Sequence, residues 1–149
     1  MKLKICLACS AGGHLTELLQ LREAFQGHDY FYATFRREDT QRLKGRVYYL
    51  IDPKRNPLKV LINLLQALWI VVKERPRVVI TTGAGVVVPL CYIAKLLGVK
   101  IIYIESLARI DTKSMSGILI YPIADLFFVQ WRELLPKYGD KARYGGTVV

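Results

Sequence analysis

The chain has 149 residues, a formal charge of +10 and 52% hydrophobic residues, so it has the length of one domain and is unusually apolar for a basic protein. Its first apolar run, residues 5–9, is too short for a signal peptide or a spanning helix, and we expect a chain that begins in the cytoplasm. Basic and apolar character together favour contact with an anionic membrane surface over binding to nucleic acid.

Apolar runs of strand length recur along the chain, and most of them are continuous instead of alternating. They lie at 3–9, 30–35, 47–51, 78–82, 101–104 and 126–129, with a last short strand near 142–144. Helical patterns separate them at 15–21, 58–72, 86–97 and 114–124, and Gly27, Pro76 and Gly98 follow the first three helices. Continuous apolar strands alternating with helices predict an α/β fold. We expect one domain, residues 1–149, with a Rossmann-like parallel sheet and helices on both faces.

Polar residues and glycines follow the predicted strands at their carboxyl ends, where an open parallel sheet binds its ligands. They are Ser10, Gly12, Gly13 and His14 after the first strand, Arg36 and Arg37 after the second, Gly83 and Gly85 after the fourth, Glu105, Ser106 and Arg109 after the fifth, and Gln130 after the sixth. We expect them to converge on one pocket.

The Gly12-Gly13 turn connects a strand to a helix. Glycines allow a backbone to approach a ligand, and the amides at a helix N-terminus favour an anion, so the turn predicts a phosphorylated ligand. The alternative is a tight turn without a ligand, in which His14 only caps the helix. With a ligand present, the imidazole of His14 is a candidate general base at neutral pH.

Glu105 and the Gly83-x-Gly85 motif each have more than one interpretation. Glu105 ends the apolar run IIYIE, where a carboxylate is either a site residue or the anchor of a loop. Gly83-x-Gly85 partly matches a dinucleotide fingerprint, with Glu105 near the distance of a ribose-binding acid, but it follows the fourth strand instead of the first. His28, beside Asp29, is interpreted as a surface turn residue.

No metal, redox or nucleic-acid site is predicted. The sequence has no Asp-x-Asp motif and no histidine–cysteine cluster with metal-ligand spacing. Cys6, Cys9 and Cys91 fit reduced, buried thiols, since Cys6-x-x-Cys9 lies within a strand. The basic run at 36–46 lacks the interleaved, exposed aromatics of a nucleic-acid surface.

The helix near 57–74 is the candidate membrane-docking element. Its apolar part, 58–72, is about 22 Å long and does not reach across a hydrocarbon core of about 30 Å. Basic residues flank it on both sides: Lys54, Arg55, Lys59, Lys73, Arg75 and Arg77. The helix is therefore either interfacial or a core helix with solvated ends, and both hold if one face packs and the other inserts.

Four segments carry a resemblance to a known family: SAGGHLTELLQL, TTGAGVVVPL, YIESLARIDTKSMSGILIYPIADLFFVQW and YGGTVV. They resemble the PssD-type glycosyltransferase subunits of polysaccharide biosynthesis, which are relatives of the membrane-recruiting subunit of the eukaryotic dolichol-pathway N-acetylglucosaminyltransferase. More distantly, the chain resembles the N-terminal half of MurG, whose Gly-Gly-His turn and post-strand glutamate correspond to Gly12, Gly13, His14 and Glu105.

The resemblance implies the acceptor-side half of a GT-B glycosyltransferase. A PssE-like partner would supply the UDP-sugar site, and this chain would hold a polyprenyl-diphosphate-linked saccharide at the cytoplasmic face of the cell membrane, in exopolysaccharide or capsule synthesis. The implied transfer is inverting and independent of metal and cofactor. The eukaryotic relatives have an N-terminal anchor that is not seen here, which assigns membrane attachment to the 58–72 helix.

In that scheme His14 is the base that removes the acceptor proton, and Glu105 binds acceptor hydroxyls or assists the base. The other predicted site residues would bind the acceptor and its phosphates: Ser10, Gly12, Gly13, Arg37, Gly83, Gly85, Ser106, Arg109 and Gln130. Two alternatives are a non-catalytic membrane scaffold for a self-sufficient transferase and, less favoured, an NAD(P)-binding oxidoreductase.

Overall fold

Seven segments of the chain pair into one parallel sheet in the order β3-β2-β1-β4-β5-β6-β7. The computed structural model describes residues 2–148. The strands are β1 (Lys4–Cys9), β2 (Asp29–Thr34), β3 (Val47–Tyr49), β4 (Val78–Gly83), β5 (Lys100–Ile104), β6 (Leu126–Val129) and β7 (Ala142–Tyr144). The helices are α1 (Gly13–Leu19), α2 (Arg22–Phe25), α3 (Glu38–Gln41), α4 (Pro57–Glu74), α5 (Val88–Leu96), α6 (Met115–Ile120) and α7 (Leu135–Tyr138).

Both faces of the sheet are covered, which explains the continuous apolar runs. Successive side chains of a strand point to opposite faces. In β1, Cys6 and Ala8 pack into the cluster beneath α4, α5, α6 and α7, whereas Ile5 and Leu7 pack into the cluster beneath α1 and α2. The predicted α/β fold with helices on both faces is confirmed.

The sheet has its topological switch point between β1 and β4, because the chain builds outward from β1 on one side and from β4 on the other. Ala8 pairs with Thr81, and after an irregularity Cys9 pairs with Gly83. The segments that follow these two strands are therefore neighbours. This crevice is where an open α/β sheet binds its ligands.

The helices differ from the predicted ones in three ways. The first predicted helix is two helices, α1 and α2, separated near Leu21. The fourth, α6, ends at Ile120 instead of 124, because Pro122 has no amide hydrogen to continue the helix. The short helices α3 and α7 were not predicted, since a single turn is too short for an apolar period; in α3 the Arg37 amide donates to Thr40 Oγ1 at 2.9 Å.

Helix α4 has two apolar faces with different surroundings. Its inner face, with Ala67, Ile70 and Val71, is buried against the sheet and α5. Its outer face is apolar and exposed: Leu58, Leu61, Ile62, Leu65, Leu68, Trp69 and Val72. Within residues 2–148, no helix combines the length and the apolar character needed to cross a bilayer.

Candidate functional site

His14 lies at the switch point and is held by β4. Its Nδ1 lies 2.8 Å from the carbonyl oxygen of Thr82, and Thr82 Oγ1 donates to the carbonyl of His14 at 2.7 Å. A carbonyl oxygen only accepts, so in the neutral imidazole the hydrogen is on Nδ1 and the lone pair is on Nε2. Thr82 thus leaves Nε2 as the ring nitrogen that can accept a proton.

The Gly12 turn is closed by a carboxylate from another element. The Gly12 amide donates to Asp39 Oδ2 at 2.6 Å, and the φ of +76° at Gly12 is one that favours glycine. Asp39 accepts the hydrogen bond of the amide that a phosphate would need, and its negative charge repels an anion. The structure therefore assigns Gly12 a structural contact at this turn, whereas His14 does not cap α1, because its ring contacts Thr82 instead.

The turn after β4 is shaped by packing at Gly83. A Cβ at this residue would lie 2.8 Å from the Tyr103 hydroxyl and 2.9 Å from Ser116 Oγ, and its φ is +104°. Ala84 also has a positive φ, of 90°, and its amide donates to Ser116 Oγ at 3.2 Å. Gly83 thus serves close packing, while Gly85, with nothing near an added Cβ, opens toward solvent.

Glu105 is fully buried at the centre of a polar cluster. Its carboxylate accepts from the Ser114 hydroxyl at 2.7 Å, the Ser114 amide at 3.1 Å and the Ser106 amide at 3.0 Å. The Tyr103 hydroxyl at 3.2 Å and the Tyr138 hydroxyl also donate to it. We call these residues, Tyr103, Glu105, Ser114 and Tyr138, the Glu105 cluster.

The cluster changes the interpretation of Glu105. Both carboxylate oxygens accept several hydrogen bonds, and the residue has no exposed surface. The structure therefore favours the loop anchor over a group that binds acceptor hydroxyls or assists the base. The same hydrogen bonds leave no Glu105 oxygen free to accept from a ribose hydroxyl. This argues against the oxidoreductase alternative, in which Glu105 would be the ribose-binding acid.

The tyrosines of the Glu105 cluster remain hydrogen-bond donors. Burial raises the pKa of Tyr103 and of Tyr138, and the neighbouring Glu105 carboxylate raises both further. Both hydroxyls consequently stay protonated throughout the range in which proteins are folded. The Glu105 cluster holds the loop at 106–114, whose end is the Ser114 cap of α6.

Two other elements hold the same loop. Glu17 of α1, which is buried, accepts from the Leu107 amide at 2.6 Å. The Trp131 indole donates to the Leu107 carbonyl at 2.7 Å. The loop is thus fixed at both ends and at its first turn, while Arg109 in its middle is exposed.

These elements enclose a cleft of about 340 Å³. Its lining residues are His14, Ala84, Gly85, Ser106, Ala108, Arg109, Ser114, Met115, Ser116 and Leu119. Four predicted site residues therefore meet here: His14, Gly85, Ser106 and Arg109. A lone-pair nitrogen, hydroxyls and a guanidinium in one cleft can bind an anion and accept a proton from a nearby hydroxyl.

The other predicted site residues do not line this cleft. Ser10 is buried and its hydroxyl donates to the Ala11 carbonyl at 3.3 Å, and Gln130 links the Glu105 carbonyl to the Val148 amide, both at 2.9 Å. Arg37 is the N-cap residue that precedes α3, and it is exposed outside the cleft. Gly13 begins α1, and Arg36 stacks on the Tyr49 ring at 4.4 Å.

The cysteines are free and buried, and burial raises the pKa of Cys9 and of Cys91 to about 12. Thiols in this state are poor nucleophiles. Among residues 2–148, no three histidine, cysteine or acidic side chains are grouped to hold a metal ion.

Sequence reasoning missed Glu17, Asp39 and Trp131. Glu17 lies within the apolar pattern of α1, and a charged residue in such a pattern is a signal that could have identified it. Asp39 and Trp131 have no local signal, because their partners are 27 and 24 residues away along the chain.

Comparison with known proteins gives a family match. A family model described as "Oligosaccharide biosynthesis protein Alg14 like" matches residues 54–148. The chain is 49% identical over 79 residues to the UDP-N-acetylglucosamine transferase subunit ALG14 of Candida albicans, covering 49% of this chain and 36% of that protein. The subunit of the same name from Yarrowia lipolytica is 39% identical over 94 residues, covering 59% of this chain and 43% of that protein. The chain thus spans less than half the length of these two relatives.

The human subunit of the same name is 29% identical over 181 residues, covering 99% of this chain and 83% of the human protein. Among solved structures, MurG of Acinetobacter baumannii has a TM-score of 0.82 at 14% identity, covering 97% of this chain and 45% of MurG. A UDP-N-acetylglucosamine 2-epimerase from Rickettsia bellii has a TM-score of 0.76 at 13% identity, covering 99% of this chain and 46% of the epimerase. At these identities the structures show the fold, which is that of the N-terminal half of a GT-B protein.

Proposed function

Because the chain belongs to the family of Alg14-like oligosaccharide biosynthesis proteins, we propose that it is the acceptor-binding and membrane-docking subunit of a two-chain UDP-N-acetylglucosamine transferase. Its relatives from Candida albicans and human are named as subunits of a UDP-N-acetylglucosamine transferase, which supports the proposal. In a GT-B enzyme, two Rossmann-like domains face each other across the active site, and the partner chain would supply the domain that holds the UDP-sugar.

The observation that carries the proposal is the tautomer of His14 in the switch-point cleft. With Nδ1 hydrogen-bonded to Thr82, Nε2 accepts the proton of an acceptor hydroxyl. The acceptor oxygen then attacks the anomeric carbon, the bond from that carbon to the UDP oxygen breaks, and UDP leaves with the electron pair. Attack from the face opposite UDP inverts the configuration, and no step needs a metal or a cofactor.

Arg109 and Ser106 are the proposed phosphate-binding residues. Both line the cleft beside His14. Among the residues that the structure describes, no carboxylate pairs with Arg109, so its charge is available to an anion. The loop contacts of Glu17 and Trp131 and the Glu105 cluster hold the backbone that presents Arg109.

The four sequence segments that resemble PssD-type subunits support a finer assignment of partner, acceptor and location. We propose a PssD-type protein with a PssE-like partner, a polyprenyl-diphosphate-linked saccharide as acceptor and a place at the cytoplasmic face of the membrane, in exopolysaccharide or capsule synthesis. The exposed apolar face of α4 and its basic flanks support membrane docking. The charge of +10 favours anionic lipids.

A non-catalytic scaffold is the second candidate. It is favoured by the Gly12 turn, where Asp39 takes the amide expected to bind phosphate. A scaffold would recruit a self-sufficient partner, which would then act alone on a water-soluble acceptor.

The test uses this chain alone, its partner alone and both together, with UDP-N-acetylglucosamine and a polyprenyl-diphosphate saccharide. Transfer only by the mixture is expected. With His14→Ala, kcat should fall by about 10²–10⁴-fold, the usual contribution of a general base, with partner binding retained.

His28→Ala is the matched control, because His28 is the other histidine and accepts from the Leu3 amide away from the cleft. It should keep the activity of the unmodified protein. Full activity of His14→Ala would remove His14 from the reaction, and transfer by the partner alone would establish the scaffold.

A further inference from the structure

The exposed apolar surface continues from α4 across its neighbouring helices. Helix α5 packs between α4 and α6. On α6, Met115 is 70% exposed and Leu119 is 42% exposed. The Tyr92 hydroxyl of α5 donates to the Leu119 carbonyl, which joins the two helices at this surface.

Met115 and Leu119 also line the cleft that contains His14. Residues four apart on a helix lie one above the other on the same side. Their side chains therefore form one apolar strip that is exposed to solvent and lines the cleft. The other described exposed apolar residues of α4 and α5 do not line the cleft.

The opposite side of the cleft carries a cation. Arg109 lies on the loop that leads into α6, is exposed and lines the cleft. A guanidinium binds phosphate oxygens through paired N–H groups, whereas an apolar strip favours a hydrocarbon. The chemistry that matches both walls is a phosphate group joined directly to a long hydrocarbon chain.

We propose that Met115 and Leu119 bind the first part of the hydrocarbon chain of a lipid-linked diphosphate while Arg109 holds the diphosphate. This deepens the proposed function and rests on it, since it places the acceptor lipid in the cleft of His14. Helix α6 then guides the lipid from the membrane surface into the site. In this arrangement α4 docks the protein to the membrane and α6 selects the lipid.

The test is binding of farnesyl diphosphate, below its micelle concentration, to the full chain without partner or UDP-sugar. We expect saturable binding that is at least about tenfold tighter than that of inorganic diphosphate, since 1.4 kcal/mol of apolar contact gives a factor of ten. Met115→Gln combined with Leu119→Gln should remove that advantage and leave the affinity for inorganic diphosphate unchanged.

Leu96→Gln is the matched control, because Leu96 is an apolar residue of α5, 85% exposed, that does not line the cleft. It should bind farnesyl diphosphate like the unmodified chain. Equal weakening by Leu96→Gln would overturn the proposal in favour of general contact between the farnesyl chain and the exposed apolar surface. Loss of partner binding in the double variant would overturn it in favour of a subunit interface.

The transferase proposal and the lipid-site proposal can each be rejected without rejecting the other. Normal farnesyl diphosphate binding with no sugar transfer by the assembled chains would reject the transferase and leave the lipid site. Normal transfer, with a KM for the lipid acceptor that the double variant does not raise, would reject the lipid site and leave the transferase.

Discussion

Gly117 has no room for a side chain, because the Glu105 cluster converges on it. An added Cβ would lie 2.5 Å from Glu105 Oε2, 2.9 Å from Ser114 Oγ and closer still to the Tyr138 hydroxyl. We expect Gly117→Ala to lower the free energy of unfolding by about 2–4 kcal/mol, because it overpacks the site and breaks hydrogen bonds to a buried carboxylate. Urea denaturation measures this change.

Gly27→Ala is the control for this variant, since nothing lies within 4 Å of an added Cβ at Gly27. Its effect should stay within about 0.5 kcal/mol, as at other open surface positions. If both alanine variants were equally stable, the dense packing of the Glu105 cluster around Gly117 would be refuted.

At the scale of the element, α4 combines a packed face with an exposed apolar one. Leu61 is 52% exposed and Leu65 is 59% exposed, so their exposed surface contributes little to the stability of the fold. We expect Leu61→Gln with Leu65→Gln to weaken binding to anionic vesicles by at least about tenfold, because each inserted leucine contributes about 1.5–3 kcal/mol when fully buried. Vesicle sedimentation measures the binding.

The unfolding free energy of this double variant should stay close to that of the unmodified protein. Tyr144→Gln is its control, because Tyr144 is an exposed aromatic residue on β7, away from the helix layer. Higher salt should weaken vesicle binding further through the basic flanks. Unchanged binding of the double variant would argue against α4 as the docking element.

At the scale of the whole molecule, two carboxylates join the helix layer to the sheet. Glu74 at the end of α4 pairs with Lys4 at 3.4 Å and Arg46 at 2.8 Å, and Asp125 pairs with Lys95 at 2.8 Å. Burial alone would raise the pKa of Glu74, but the Tyr48 hydroxyl and the two cations outweigh it and lower that pKa. The pKa of Asp125 is also lowered, since Lys95 and the Ile101 amide outweigh burial.

A lowered carboxyl pKa contributes stability that is present above the unfolded pKa and lost as pH falls through the folded pKa. Glu74→Gln should therefore lower the unfolding free energy by about 1–3 kcal/mol at pH 7, and the difference should shrink as the pH falls below the usual carboxyl value near 4.5. Urea denaturation at pH 7 and at a pH below 4.5 measures this difference in unfolding free energy.

Glu38→Gln provides the comparison, because the Glu38 side chain is 85% exposed in its pair with Arg42. Its effect should be near zero at both pH values. A Glu74→Gln difference that does not change with pH would contradict the assignment of a lowered pKa to Glu74.

The local pattern of apolar residues was sufficient to predict the strands of the sheet. Each of the seven predicted strands overlaps an observed one, from β1 to β7, and the fold class follows from their alternation with helices. A strand buried on both faces must be apolar at every position, and that requirement is visible in the residues themselves. His14, Gly85, Ser106 and Arg109 could also be located, since residues after parallel strands meet at one edge.

The sequence by itself determined the parallel sheet, the edge that carries the candidate site and the apolar character of α4. Only the tertiary structure decided which groups are free and which are already paired. Asp39 takes the Gly12 amide, Glu105 is buried by its cluster, and Thr82 sets the tautomer of His14, 68 residues before it. The physical reason is that burial repeats with the local period of a strand or helix, whereas a hydrogen-bond partner is chosen by proximity in space.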